Sequence, residues 1–381
     1  MPATVRAPAA TYTLHRRMRI GVAKETAEGE RRVALVPEVV GKLTGQNHEV
    51  LVQRGAGAGA FIPDRAFEAA GAQLVDDAAA PLGADVVVKV AAPSAEEIVR
   101  LGSDSVLIGF LGPLTNAEGV RAIAAAGVTS FAMEAVPRIS RAQSMDALSS
   151  QANIAGYRSA LIGAQELGRF YPMLMTAAGT IRPATVLVLG AVVQGFDVRA
   201  AVKEQVESLG AKFLEFDLGA DLEGSGGYAK ELTPEQQARQ QELMAEAIGK
   251  CDVVITTALV PGRRAPILVT EQAVKLMKPG SVIVDLAGEA GGNCELSEPG
   301  QTVLRHDVKI LAPLNVPSTM AEHASQLYAR NIQALLGLMV SEEGELALDF
   351  SDEVIAGACI TRGGEIVHEG AKAAATSAGG S

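Results

Sequence analysis

The chain alternates short apolar runs with segments whose apolar residues recur every three or four positions. Such runs, bounded by turn residues, predict buried parallel strands joined by crossover helices. Residues 19–23, 49–53, 85–90, 105–110 and 128–132 read as strands, with a helix over 37–43, and together they predict a first open α/β domain. Leu148, Ile154, Tyr157, Leu161 and Leu167 recur at near-helical spacing and predict a helix reaching about residue 169, capped by Ser140 or Ser144. A second strand set follows at 185–191 (running on to 196), 212–216, 252–256, 281–285 and 309–311. A helix over 321–338 and a short β tail over 346–367 return the chain to the first domain. The expected fold is α/β, with two Rossmann-like doubly wound parallel-sheet domains, 18–147 plus 319–370 and 148–318, joined by long helices. Residues 1–17 and 371–381 read as disordered extensions.

Composition narrows the partners. A net charge of -11 argues against a phosphate-backbone partner, so no nucleic acid is expected. No apolar run approaches the roughly 18 residues of a membrane helix. Cys251, Cys294 and Cys359 are far apart and lack metal-ligand spacing, which fits a reducing cytosol and predicts no metal site.

The candidate chemistry centres on residues 186–210. Val186-Leu-Val-Leu-Gly190 is a strand ending in glycine, and Val192 to Asp197 is an apolar run ending in an acid. These are two marks of a dinucleotide site, the acid holding the adenosine ribose. The third mark is missing: no G-x-G-x-x-G and no crossover helix separates Gly190 from Asp197, whereas parallel neighbours need a connection of about a dozen residues. The run Gly55-Ala-Gly57-Ala-Gly59-Ala60 matches that motif formally, but Pro63 delays the helix that would receive a pyrophosphate, and it reads as a tight loop. Lys24, Glu25, Glu30, Arg31 and Arg32 read as a charged loop. The segment 137–151 holds more polar groups than capping needs. Residues 218–234, with Gly227 and Tyr228, read as a mobile loop, and Asp285 ends a strand on the ligand-binding face.

RISRAQSMDALSSQANIAGYR, DVRAAVKEQVESLGAKF, GGYAKE, DVVITTALVPGRRAP, MKPGSVIVDLAGEAGGNC and NVPS together resemble the soluble NAD(H)-binding alpha subunit of proton-translocating NAD(P) transhydrogenase, in the alanine dehydrogenase/transhydrogenase family. The resemblance runs from Met18 to about His368. It implies hydride transfer between NAD(H) on this subunit and NADP(H) on a partner beta subunit, coupled to proton translocation by a membrane-spanning subunit. It implies a homodimer, peripheral on the cytoplasmic face of the membrane. It further implies that Arg138, Ile139 and Ser140 line the nicotinamide and its ribose. Gln143 would position the ring, with Ser144 and Met145 beside it, and Asp146 and Ser149 would support Arg138 and the ring amide. Arg138, Gln143 and Asp146 are thereby the catalytic candidates. Gly190 and Ala191 would approach the dinucleotide, Asp197, Val198 and Arg199 would hold the adenosine ribose, Gly227 and Tyr228 would fold over it, and Gln240 and Leu259 would complete the contacts.

The chain departs from that family between Gly190 and Val192, where about sixteen residues forming a glycine-rich turn and helix are absent, close to the size of a minimal crossover. Without them a pyrophosphate loses its backbone donors and helix dipole, and weakened NAD binding is expected. An alternative is a non-catalytic assembly subunit with a decayed site. Another is an alanine dehydrogenase: Arg32 and Lys89 match that family's substrate-binding arginine and lysine, but Gly112 stands where it places its histidine.

Overall fold

The computed structural model describes residues 18–190, 207–208, 210–214, 234–341 and 344–377. The described residues up to Ala152 and from Pro317 onward form one compact unit, and Asn153–Val316 form the other.

The first unit is built on eight strands: β1 (Arg19–Val22), β2 (Glu49–Gln53), β3 (Gln73–Val75), β4 (Val86–Val88), β5 (Val106–Gly109), β6 (Thr129–Ala132), β14 (Cys359–Arg362) and β15 (Glu365–Ile366). They form one sheet of order β15-β14-β6-β5-β4-β1-β2-β3. β1 to β6 are parallel, and the C-terminal pair β14–β15 joins β6 antiparallel. The order reverses between β1 and β4, as in doubly wound folds. Both faces are covered: Ile20, Val22, Val88 and Ile108 enter one core cluster, while Val87 and Leu107 enter another with Leu82 and Ile123. That explains the unbroken Val-Val-Val and Val-Leu-Ile runs. Gly21 is required in β1, because a Cβ there would lie 1.8 Å from the Pro81 carbonyl oxygen.

The second unit carries the strands β9 (Val186–Leu189), β10 (Val253–Thr256), β11 (Val282–Asp285), β12 (Thr302–Arg305) and β13 (Val308–Leu311). Their sheet has the order β12-β13-β11-β10-β9. All are parallel except β12, which no run in the sequence announced. A separate hairpin pairs β7 (Leu174–Thr176) with β8 (Gly179–Ile181).

Several expectations are corrected. β9 is not a buried strand throughout: Leu189 faces the core, but Val188 is 61% exposed, because only β10 flanks β9 among the described residues. Within the strand expected at 212–216, residues 212–214 carry no strand and Leu214 is exposed; they find no sheet partner among the described residues. The long helix is Ala147–Glu166, and its periodic residues do not share one face: Ile154 and Leu167 are buried, whereas Tyr157 and Leu161, one turn apart, form an exposed strip. The tail expected to be disordered from 371 contains a helix, Glu369–Ser377, which buries Ala371 against the core and packs on the helix Ala117–Ala125. The β tail expected at 346–367 is largely a helix, Glu353–Ala358, and the short β14–β15 pair. The charged 24–32 loop divides: Lys24, Glu28 and Arg31 are exposed, while the side chains of Glu25, Glu30 and Arg32 are buried in ion pairs. Residues 1–17 and the continuation of β9 beyond Gly190 lie outside the described residues, as do the expected mobile-loop residues 218–233.

Candidate functional site

The polar segment 138–149 begins with a 3-10 helix, Ser140–Met145, that leads into the helix Ala147–Glu166. A 3-10 helix has three residues per turn, so Ala142 and Met145 share its inner face and are buried. Gln143 and Ser144 are thereby turned outward, and Arg138 and Ser140 are also exposed. Ile139 is half-buried and packs on the main core.

The segment is fastened from below. Arg141 Nη1 and Nη2 donate to Asp352 Oδ2 and Oδ1 at 2.9 and 2.7 Å, a bidentate pair. The Arg141 hydrogen bonds hold the Asp352 carboxyl down at about 2, and the Asp352 bonds push the Arg141 guanidinium up. Asn331 Nδ2 donates to the Ser144 carbonyl at 2.8 Å, and Ser150 Oγ donates to Asn331 Oδ1 at 2.7 Å. Asp146, rather than Ser140 or Ser144, caps the long helix: its Oδ1 accepts the Ser149 N–H at 2.9 Å and its Oδ2 accepts the Ser149 hydroxyl at 2.6 Å. The cap consumes the carboxylate that was expected to support Arg138. Among the described residues, nothing hydrogen-bonds or ion-pairs with the side chains of Arg138 and Gln143. A rigid turn thus presents one guanidinium and one carboxamide to solvent, a pair able to bind amide, hydroxyl and phosphate oxygens. Met145 offers only backbone, since its side chain is in the core.

In the second unit, Gly190 follows β9, and the Thr257 N–H donates to the Leu189 carbonyl at 2.9 Å where β10 ends. The loop after β10 carries Leu259, which is 52% exposed. Asn293 pins that loop: its Oδ1 accepts the Ala258 N–H at 2.9 Å, and its Nδ2 donates to the carbonyls of Ala258 and Pro266 at 2.9 and 2.7 Å. Asn293 is itself held by Asp285. That carboxylate also accepts from the Thr256 and Ser297 hydroxyls and from the N–H groups of Ala287 and Cys294. Asp285 ends β11, as expected, and its side chain is a fully buried hub. Gln240 lies on the helix Pro234–Gly249. Ala191, Asp197, Val198, Arg199, Gly227 and Tyr228 lie outside the described residues.

The structure thus brings Arg138, Ser140, Gln143, Ser144, Asp146 and Ser149 onto one turn. Arg141, Asp352, Asn331 and Asn293, which fix the two loops, were not singled out as positioning residues. No local signal marks Arg141 with Asp352, a contact 211 positions apart. Among the described residues no group of His, Cys, Asp and Glu is placed to hold a metal, and no helix is long and apolar enough to cross a membrane.

The Gly55–Ala60 run is closed to phosphate. The Asp64 carboxylate accepts the Gly55 N–H at 2.9 Å, the run holds only a 3-10 turn, Ala58–Ala60, and the next α-helix starts at Asp64, after Pro63.

Comparison with known proteins gives the lineage. The family model for the alanine dehydrogenase/PNT N-terminal domain matches residues 21–155, and that for the C-terminal domain matches residues 159–369. The NAD(P) transhydrogenase subunit alpha (first part) of Rhodospirillum rubrum is 50% identical over 376 residues, covering 92% of this chain and 98% of that protein. Those aligned positions outnumber the residues in 92% of this chain, so the relative carries residues that this chain does not. The crystal structure of transhydrogenase from Sinorhizobium meliloti matches with a TM-score of 0.78 at 43% identity, covering 92% of this chain and 99% of that one. Alanine dehydrogenase of Mycolicibacterium smegmatis is 32% identical, covering 92% of this chain and 95% of that protein. The chain is a member of the alanine dehydrogenase/PNT family, with two Rossmann-like domains, and is similar along nearly its whole length to transhydrogenase alpha subunits.

Proposed function

We infer that this chain is the NAD(H)-binding subunit of a proton-translocating transhydrogenase. A hydride passes between C4 of NADH here and C4 of NADP⁺ on a partner beta subunit, leaving NAD⁺ and NADPH, with proton movement supplied by a membrane-spanning partner. The observation that carries this reading is the 138–149 turn: Arg138 and Gln143 are exposed and unengaged among the described residues, on backbone fixed by Arg141–Asp352 and Asn331. Hydride exchange between two nicotinamides requires positioning rather than a proton donor, and a rigid turn with hydrogen-bonding side chains supplies positioning. Gln143 orients the ring carboxamide and Arg138 meets the ribose and phosphate side, with Ser140 and Ser144 beside them. Asp146 acts through the helix cap. Leu259, on the pinned loop of the second unit, supplies an apolar contact, and Asp197 holds the adenosine ribose. The chain works as a homodimer bound to its partners at the cytoplasmic face of the membrane.

The missing crossover after Gly190 sets the affinity. With no glycine turn to donate to the pyrophosphate, NADH binding is weaker than micromolar by calorimetric titration. The activity test is reconstitution with the partner subunits, following reduction of an acetylpyridine analogue of NAD by NADPH. Wild-type protein turns over; Gln143→Ala and Arg138→Ala each lose about a hundredfold with unchanged thermal stability. Failure of the wild-type chain to support any turnover would leave it a non-catalytic assembly subunit. An alanine dehydrogenase reading lacks support in the Gly112 position, which offers no imidazole and whose N–H donates to Glu134 at 2.6 Å.

A further inference from the structure

The glycine run after β2 is closed to phosphate, and its last turn is strained. The 3-10 turn Ala58–Ala60 closes with the Phe61 N–H donating to the Ala58 carbonyl at 3.1 Å and the Ile62 N–H to the Gly57 carbonyl at 3.0 Å. That closure puts Phe61 in the left-handed region, at a φ of 61°. Glycine is the residue that ordinarily ends such a turn, and a bulky side chain there costs stability. Nearby, glycine serves close approach instead: a Cβ on Gly59 would lie 2.6 Å from the Arg31 carbonyl oxygen, so the turn lies against the loop that follows β1. Two positions later, where glycine would relieve the backbone, the chain carries phenylalanine.

Phe61 gains nothing from the core. It is 75% exposed, the most exposed aromatic among the described residues, and it walls an open cavity of about 330 Å³ with Gly55, Ala58, Ile62, Pro63 and Asp64. The Arg31 guanidinium lies over its ring, 5.4 Å from the centroid. Arg31 is exposed, as are Lys24, whose N–H donates to Gln53 at the end of β2, and Arg65, in the first turn of the helix Asp64–Ala69. No carboxylate pairs with any of these three cations among the described residues. The acids around them are engaged or few: Asp64 accepts the Gly55 N–H, Glu25 and Glu30 are buried on Lys89 and Arg32, and Glu28 is the one exposed acid of the 24–32 loop. In a chain of net charge -11 this is a local surplus of cations around an aromatic.

Aromatic and arginine side chains on fixed backbone are the anchors of protein interfaces. A nucleotide fits less well, because Ile62 and Pro63 offer a base edge no hydrogen-bonding side chain. We propose that Phe61 and Arg31 form a docking knob for a partner protein that brings a carboxylate to the Arg31 guanidinium and an apolar side chain to the Phe61 ring. The occupant is the NADP(H)-carrying partner subunit, so the assignment rests on the transhydrogenase reading. The strained backbone is retained because another chain uses the aromatic.

The test titrates the full chain against the NADP⁺-loaded partner beta subunit in detergent, alongside thermal melts. Phe61→Asn suits the left-handed backbone, so it melts no lower than wild type yet binds the partner about tenfold more weakly. Arg31→Met weakens binding several-fold and flattens its dependence on salt. Unchanged partner affinity in both variants overturns the proposal and leaves the transhydrogenase reading standing. The proposal also falls if Phe61→Asn melts several degrees below wild type, since Phe61 would then serve the fold. It falls if the variant loses dimer mass, which would make a second copy the occupant, or if the loss is confined to NADH affinity, which would make the occupant a nucleotide. Absence of any partner binding by the wild-type chain overturns both. Partner binding that needs Phe61, without hydride turnover, upholds the knob and sinks the hydride reading.

Discussion

The two sheets finish their strands in opposite ways. Beyond β1 and β4 the first unit is stocked with ions, Glu25, Glu30, Arg32, Lys89 and Glu97, all buried and answered by one another. At the ends of β10 and β11 the second unit has one buried carboxylate, Asp285, and it is consumed by backbone and hydroxyl donors that shape the loops around it. The other charges of the described loops that follow, Arg263, Arg264 and Glu289 among them, are exposed, beside the neutral Gly190, Ala258, Leu259 and Asn293. One arrangement neutralises charge internally, and the other spends it on holding loop backbone. Similar parallel topology therefore leaves the side chains at the strand ends free to differ in what their charge does.

The sharpest way to break this contrast is Asp285→Ala. It strands several buried donors at once, at about 1–3 kcal/mol each with partial relaxation, so a loss of about 4 kcal/mol is expected in denaturant unfolding. The β10–β11 region should lose hydrogen-exchange protection while β1 and β4 keep theirs. Equal loss of protection in both units would mean that Asp285 supports more than its own edge.

Lys89→Met tests the other side. It leaves Glu25 and Glu97 buried without their cation, and a cost of about 3 kcal/mol follows. That cost has a sign in pH. Burial already raises the Glu25 carboxyl, and loss of Lys89 raises it further. A carboxyl whose folded value lies above its unfolded value binds more protons in the folded state, so stability falls as pH rises between the two. The variant should be least damaged in mild acid and most damaged at neutral pH and above. A deficit independent of pH would mean that Glu25 is not charged in the native crevice.

Much of this was legible in the sequence for a physical reason. Strands buried on both faces are near-continuous apolar runs, so β1, β2, β4, β5 and their counterparts β10 and β11 announced themselves, and β6 did so despite Thr129 and Ser130. The outward turn at 138–149 was legible as an excess of polar residues. Edge elements were not: β12 carries Thr302 and an exposed Leu304, and the helix Glu369–Ser377 is alanine-rich without an apolar stripe long enough to read. The buried charged cluster was legible only in part. Arg32 and Lys89 were matched through the family resemblance, but nothing local marks Glu25 and Glu97 as the partners of Lys89, and Gln151 lies 119 positions from Arg32. Hydrophobic patterning reports burial of apolar groups and is silent about burial of paired charge.

The smallest expected effect concerns the fastening of the outward turn, and it separates a positioning contact from a stabilising one. Arg141 is exposed and Asp352 only half-buried, so their bidentate pair adds little to global stability, yet it decides how firmly residues 138–146 are held. The Asp352 carboxyl sits at about 2, below its ordinary 3.8. A depressed carboxyl contributes stability above its unfolded value, and the contribution disappears as pH falls through the folded one. Arg141→Met should therefore differ from wild type in local exchange of the 140–145 amides around pH 5, and the difference should vanish around pH 2, with global unfolding nearly unchanged at either pH. A difference that persisted in strong acid would assign the effect to packing of the arginine stem. One that appeared in global unfolding would make the pair part of the core's support. The expected pattern, local and confined to the pH range where Asp352 is ionised, leaves the pair with one role: holding still the backbone that presents Arg138 and Gln143 to solvent.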